Sequence, residues 1–497
     1  MDLVDRERET AELRALADSG TLKLALLYGR RRVGKTYLLT SIWDPERAFY
    51  FTASATAPEI NRRVLIEEAA RWSGEELRPQ EHGTWRSVFR ALLEMAPDRP
   101  IVVVLDEFQY LATGEAGLRE VASELNAVWE GRSRRSAGLL LVLAGSAIHT
   151  LEALKDGGSP LYGRLNWSRQ LCPFDYHDAA RMVRGYGAVD RIRTYAAFGG
   201  VPRYLRPVDP RRKLDDNIVD LLLSPTGEVR LQLETVLSQE EGLREYTRYQ
   251  GILSAIGVKR RLLGQIAADQ GQALDGNFRR IVDRLVEMGY VETERNFDEG
   301  GNRALRYRIE DPALRMYYGL VLPNESAIAS VGAQTVWRER LASQAFPAYV
   351  GQHVFEDVVR QAYLRHQSVR GLPLVERWGR WAGADAARQD VEIDVVARLL
   401  DGGVMTGSVK MRTRPADATV LLEHLGALRR LADSGRAWAR EALDARAPLL
   451  FVSAAGFKDS FRHAAADLGH PLILWSVDDL FREGVAKPQI HNEAVTS

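Results

Sequence analysis

The stretch Leu24–Leu39, LALLYGRRRVGKTYLL, limits what this chain can fold into more than any other, because an apolar strand runs directly into GxxxxGKT and on into an apolar helix. Strand, glycine-bracketed loop and helix in that order make a triphosphate cradle. Gly29 and Gly34 let the backbone wrap closely enough for its N–H groups to face phosphate oxygens, and the helix adds its positive end. The cradle spans Gly29, Arg30, Arg31, Arg32, Val33, Gly34, Lys35, Thr36 and Tyr37. Within it Lys35 is expected to reach the β- and γ-phosphates of ATP, and Thr36 to place its hydroxyl on Mg²⁺.

A second apolar run, Ile101–Phe108 (IVVVLDEF), ends in two carboxylates. Uninterrupted apolar runs suit a parallel strand buried on both faces, which puts Asp106 at the strand's carboxyl end as a Mg²⁺ ligand. Glu107 beside it is placed to polarise the water that attacks the γ-phosphate. A third run, Leu139–Ala144, leads into Gly145-Ser146. Ser146 at that tip either senses the γ-phosphate or caps the helix that starts after it.

At 497 residues the chain is too long for one core and implies three or four domains. Its 67 basic and 67 acidic residues cancel, so any polyanion must be bound locally rather than by a global field. The single cysteine, Cys172, excludes an internal disulfide or a multi-cysteine zinc site and suits a reducing compartment. The charged start MDLVDRERET has no signal-peptide core, and no apolar run is long enough to span a bilayer. A cytoplasmic protein without a membrane partner is expected.

From residue 1 to 172, apolar strands alternate with amphipathic helices, the pattern of a doubly wound parallel sheet in the α/β class. Residues 173–240 read as a helical lid broken at Gly199-Gly200-Val201-Pro202. Residues 241–322 read as a winged helix-turn-helix: a helix Gly276–Met288 with Phe278, Ile281, Val282, Leu285 and Met288 on one face, then a hairpin turning at 298–302. Pro323–Gln334 reads as a linker, residues 335–485 as a second α/β domain, and 486–497 as a disordered tail.

With these residues assembled, the chain resembles the archaeal-type ATPase family in the STAND branch of the AAA+ proteins. The resemblance rests on LVDRE at 3–7, YGRRRVGKT, VVVLDEFQYL, LVLAGSAIHTLE, SPLYGR, GGVPRYL and DPALRMYYGL. It implies that Arg6 and Glu7 lie near the adenine end and that Pro202 packs against adenine or ribose. By the same resemblance Arg164, in SPLYGR, is an arginine finger and Arg203 a second contact to the γ-phosphate; Arg164 reads equally well as a solvated surface residue.

The winged-helix segment presents Asn277, Arg279, Arg280 and Arg284 on the outer side of its last helix, suited to guanine edges or phosphate. Twelve Lys/Arg against ten Asp/Glu over residues 246–320 is a weak basic footprint, so DNA contact and interdomain packing both stay open. In one branch of the family the last domain resembles a PD-(D/E)xK restriction-endonuclease fold. The matching positions are Glu356, Glu392-Ile393-Asp394 and Lys410, but Ser408 stands where a second metal-holding carboxylate is expected. Serine lacks the full charge a hard divalent cation prefers, so the domain is expected not to cut.

The expectation is therefore an ATP-binding, slowly hydrolysing switch that positions a winged helix and a degenerate nuclease-like domain, on DNA. An ATP-gated endonuclease and an ATP-dependent signalling scaffold without nucleic acid are the alternatives. A protein partner and the oligomeric state are left open.

Overall fold

The computed structural model describes residues 4–95, 100–131, 138–240, 246–299 and 305–482. The expected tail at 486–497, Leu3 of LVDRE and the expected turn residues Gly300, Gly301 and Asn302 lie outside them. The chain divides into two compact units, Met1–Phe174 with Val201–Arg203, and Asp175–Gly200 with Tyr204–Ser497. The expected lid is thus split: Val201–Arg203 belongs with the first unit and the rest with the second.

In the first unit, strands β1 (Lys23–Tyr28), β2 (Ala48–Thr52), β3 (Ile101–Asp106), β4 (Leu139–Gly145) and β5 (Trp167–Gln170) form a sheet in the order β2-β3-β4-β1-β5. Every pairing is parallel. All of β3 and β4 is buried, which is why both read as unbroken apolar runs. Alternate residues serve two cores. Leu24, Leu26, Val103, Leu105, Leu141 and Leu143 face one, with helices Pro58–Ser73, Trp85–Glu94 and Gly114–Glu130. Ala25, Leu27, Val102, Val104, Leu140 and Val142 face the other, with helices Glu7–Ala17 and Lys35–Ser41. The carboxyl ends of β1, β3 and β4 therefore open side by side at one edge, where open α/β sheets bind ligands.

The second unit begins with helices that include Tyr176–Met182 and Ala188–Phe198. Helices Tyr246–Ile256, Leu263–Asp269 and Gly276–Glu287 follow, with strands β6 (Arg261–Leu262), β7 (Val291–Glu294) and β8 (Arg306–Ile309) in an antiparallel sheet ordered β6-β8-β7. The helix Gly276–Glu287 starts on Asp275, whose carboxylate accepts from the Phe278 N–H, and buries Phe278, Ile281, Val282 and Leu285. The expected linker is helical instead, over Leu322–Asn324, Glu325–Val331 and Ala333–Val336. Pro323 sits in the first turn of the first segment, where its missing N–H breaks no helical bond.

The last domain carries β9 (Val375–Ala384), β10 (Asp390–Leu399), β11 (Val404–Lys410), β12 (Leu449–Ser453) and β13 (Leu472–Trp475), ordered β13-β12-β11-β10-β9. The β9–β10 and β10–β11 pairs are antiparallel, and the other two are parallel. Helices Ala418–Asp433 and Asp459–Ala466 supply its core together with Phe297, a residue of the preceding module that is only 5% exposed. The register between β9 and β10 slips between Ile393 and Val396, and there burial stops alternating, with Val395 and Val396 both inside. Such a bulge re-aims the side chains next to it, and Asp394 lies within it.

Candidate nucleotide site and a second charged cleft

The loop after β1 is shaped by close backbone approach. A Cβ on Gly29 would collide with the Leu171 carbonyl oxygen, and Gly34 has a φ of +97° that favours glycine. Among the described residues, four of the five non-glycine residues with positive φ are Asp5, Arg6, Arg32 and Glu107. Strained backbone is thus concentrated around this loop and the residues expected to work with it.

Lys35 is 5% exposed, and its Nζ donates to the carbonyls of Gly29 at 2.7 Å and Arg30 at 3.0 Å. Thr36 Oγ1 donates to Asp106 Oδ2 at 2.7 Å, so the loop and the tip of β3 meet directly. Asp106 is almost wholly buried, and its other oxygen accepts the Glu107 N–H at 2.9 Å. A hydroxyl and a carboxylate converging in this way are the hard oxygen donors Mg²⁺ takes, so the donor set fits that ion.

Glu107 bridges β3 and β4. Its Oε2 accepts from the Ser146 hydroxyl at 2.8 Å, from the Ser146 N–H at 3.2 Å and from Gln109 Nε2. Ser146 is therefore not a helix cap: Ala147 holds that position, with no side-chain cap.

Of the arginines in the loop, Arg30 is buried and Arg31 donates to the Tyr110 hydroxyl at 2.7 Å; Tyr37 is exposed. Pro202 Cγ lies 3.9 Å from where a Cβ on Gly34 would sit, which brings the GGVPRYL segment to the loop, with Arg203 exposed next to it. Arg6 is buried, donates to the Cys172 carbonyl at 2.7 Å and lies 5.0 Å over the Phe174 ring. Arg164 is engaged elsewhere: it pairs with Glu130 and donates to Asn126 at 3.2 Å, both on helix Gly114–Glu130.

Two partners at this site were invisible to sequence reasoning. Tyr50 on β2 donates its hydroxyl to Asp106, and burial and that carboxylate push its own ionisation far upward. Gln109 joins Glu107 to Ser146, reaching the Ser146 hydroxyl at 3.4 Å. Adjacent pairing of β2 with β3, Thr52 opposite Asp106, is what delivers Tyr50.

A second charged site lies in the last domain. Carboxylate oxygens of Glu356, Glu392 and Asp394 approach within 4.8 Å of one another. Asp394 Oδ2 accepts from Lys410 Nζ at 2.9 Å, from Ser408 Oγ at 3.0 Å and from the Val409 N–H at 2.8 Å. Ser408 thus faces the position a second carboxylate would serve, as a donor. Arg380 of β9 pairs with Glu392 and lies 3.7 Å from Glu356. Arg260 of the preceding module pairs with Glu356 at 3.1 Å and Glu294 at 2.6 Å. Burial pushes the Glu356 carboxyl up to about 7 against the opposing pull of Arg260 and Arg380.

Comparison with known proteins bears on the first site. Residues 3–208 match the family model described as an ATPase domain predominantly from Archaea. An uncharacterized protein of Methanocaldococcus jannaschii is 23% identical over 399 residues, covering 79% of this chain and 84% of the relative. The Walker-type ATPase of Pyrococcus abyssi is 24% identical, covers 64% of this chain and 96% of its own, and superposes with a TM-score of 0.45. The ORC2 protein of Aeropyrum pernix is 14% identical over 68% of this chain and 96% of its own, with a TM-score of 0.39. Among the described residues, no helix is long and apolar enough to cross a membrane.

Proposed function

We propose that this chain binds ATP with Mg²⁺ and hydrolyses it slowly, as a nucleotide-dependent switch that acts on nucleic acid. The single observation that carries the ATP reading is the Thr36–Asp106 contact, which closes loop and strand tip around one oxygen-lined point beneath a matched ATPase-domain sequence. The loop N–H groups and Lys35 hold the phosphates. Lys35 exchanges its bonds to the Gly29 and Arg30 carbonyls for phosphate oxygens when the nucleotide enters. Thr36 and Asp106 hold Mg²⁺, which supplies charge neutralisation on the β- and γ-phosphates when bound. Glu107 is the base that orients the attacking water. Its Oε2 is held by Ser146 and Gln109, which fixes the orientation of the carboxylate and ties it to the tip of β4. Pro202 and Arg203, which belong with the first unit, close over the loop, Arg6 supports the base end, and the finger role of Arg164 requires it to leave Glu130.

The module at 246–320 is read as a winged helix and the last domain as a nuclease-like fold that does not cut. Support for the latter is that each carboxylate of the charged cleft is already matched by a cation. The 4.8 Å convergence of Glu356, Glu392 and Asp394 favours the ATP-gated endonuclease as a second reading. Plasmid incubated with Mg²⁺ and ATP is expected to stay supercoiled; cleavage that disappears in Asp394→Ala would establish that second reading.

The ATP reading is tested by retention of labelled ATP on the purified chain. Wild type is expected to hold nucleotide at least about 100-fold more tightly than Lys35→Ala, because the ammonium supplies charge-assisted bonds inside a buried cradle. Equal retention would end the account.

A further inference from the structure

The charged cleft in the second unit has a volume of about 730 Å³, and its walls come from two modules. Lys259 and Arg260 follow helix Tyr246–Ile256, and Arg306 lies on β8; Arg380, Lys410 and Arg412 come from the last domain. Its carboxylates, Glu356, Glu392 and Asp394, are each paired with one of three of these cations, Arg260, Arg380 and Lys410 respectively. The other three, Lys259, Arg306 and Arg412, have no carboxylate partner among the described residues. Lys259 and Arg412 are exposed and Arg306 half-buried. A chain with 67 cations and 67 anions has therefore gathered a local surplus of three positive charges in one concave place.

The walls are fixed to each other. The Phe297 N–H donates to the Arg380 carbonyl at 3.0 Å, and Asn296 exchanges two bonds of 3.0 Å with the backbone of Ala382. Asp298 accepts from Trp381 Nε1 at 3.1 Å and from Trp438 Nε1 at 2.9 Å. The segment after β7 is thus clamped to the edge strand β9, and the cleft is preformed. The positive surroundings register on His353, which lines the cleft: burial first, then Arg260 and its neighbours, push its imidazole down to about 3.

The outer face of helix Gly276–Glu287 is a poorer site. Arg284 is paired with Glu287 at 3.1 Å, Arg280 is tied to Asn277, and Asp283 lies among them.

We propose that the chain grips the phosphate backbone of a nucleic-acid strand in this cleft, through Lys259, Arg306 and Arg412, and not on the outer face of helix Gly276–Glu287. The inference rests on the reading that the chain handles nucleic acid and assigns where. Because the three free cations come from both modules, a bound strand bridges them, and release of either wall weakens the grip. With the carboxylates already cancelled by Arg260, Arg380 and Lys410, the strand is held without repulsion from the floor.

The test is anisotropy of labelled single- and double-stranded oligonucleotides on the full chain between 50 and 250 mM salt. Wild type is compared with K259A/R306A/R412A and with R279A/R280A/R284A. A K259E/R412E variant, altered only at exposed positions, guards against misfolding of the triple variant. Loss of three phosphate contacts is expected to weaken binding at least about 10-fold and to flatten the plot of log affinity against log salt by about 2 to 3. The helix variant is expected to change affinity less than threefold. If the helix variant loses binding while both cleft variants keep it, the site assignment is overturned although nucleic-acid handling survives. If wild type binds neither oligonucleotide, both readings fall. Inorganic polyphosphate that competes equally at matched phosphate concentration would overturn nucleic acid as the occupant.

Discussion

The nucleotide site and the charged cleft are built from the same kinds of residue, carboxylates with a hydroxyl and a lysine close by, yet they are wired oppositely. Asp106 and Glu107 are surrounded by neutral donors: Thr36, Tyr50, Ser146 and Gln109. Their negative charge is left for a cation to answer. Glu356, Glu392 and Asp394 face Arg260, Arg380 and Lys410, so their charge is already answered by the protein. The comparison teaches that a cluster of acids is defined by its partners. Neutral donors orient a carboxylate and keep it available, whereas guanidinium groups consume it.

The sharpest way to break this contrast is to remove a cation from the cleft. Arg260 and Glu356 are both largely buried, at 9% and 13% side-chain exposure, and deleting one member of a buried pair strands the other charge. Arg260→Ala is expected to lower unfolding stability by about 3 kcal/mol at pH 8, measured by urea denaturation. The double variant Arg260→Met with Glu356→Gln is expected to regain most of that loss. A single variant as stable as wild type would show that the cation does not answer the carboxylate.

A smaller effect sharpens the same point through pH. The Glu356 carboxyl is raised from 4.5 to about 7, burial being the first cause. A raised carboxyl favours its neutral form in the folded state. Its stabilising contribution is therefore complete below about 4.5 and is lost as pH climbs through about 7. The stability difference between wild type and Glu356→Gln, from urea midpoints at pH 5, 6, 7 and 8, is expected to move against wild type over that interval and then level off. A difference that grows in favour of wild type would contradict the burial argument.

Much of the first site was legible because it is local. The glycine loop follows its strand without a gap, and Asp106 and Glu107 end a run whose burial explains its composition. What was not legible is delivered by pairing across the sheet or across modules. Tyr50 reaches Asp106 only because β2 lies next to β3, and nothing near Tyr50 in sequence marks it. Arg260 meets Glu356 across 96 residues. In the last domain the far end of β9 is held in part by backbone bonds to Asn296 and Phe297, partners distant in sequence that its own residues do not announce. The bulge beside Asp394 likewise leaves no mark in composition. The helical run at 322–336 was masked by Pro323, whose place in a first turn makes it harmless.

The central claim is that Thr36 and Asp106 complete a magnesium-nucleotide pocket. It is tested most directly by calorimetric titration of ATP in Mg²⁺ and in EDTA, on wild type and Asp106→Asn. Wild type is expected to bind ATP at least about 10-fold more tightly with Mg²⁺, and Asp106→Asn to lose that gain because it removes the charged oxygen ligand. Identical affinity with and without the ion in wild type, or a full Mg²⁺ gain preserved in Asp106→Asn, would contradict it.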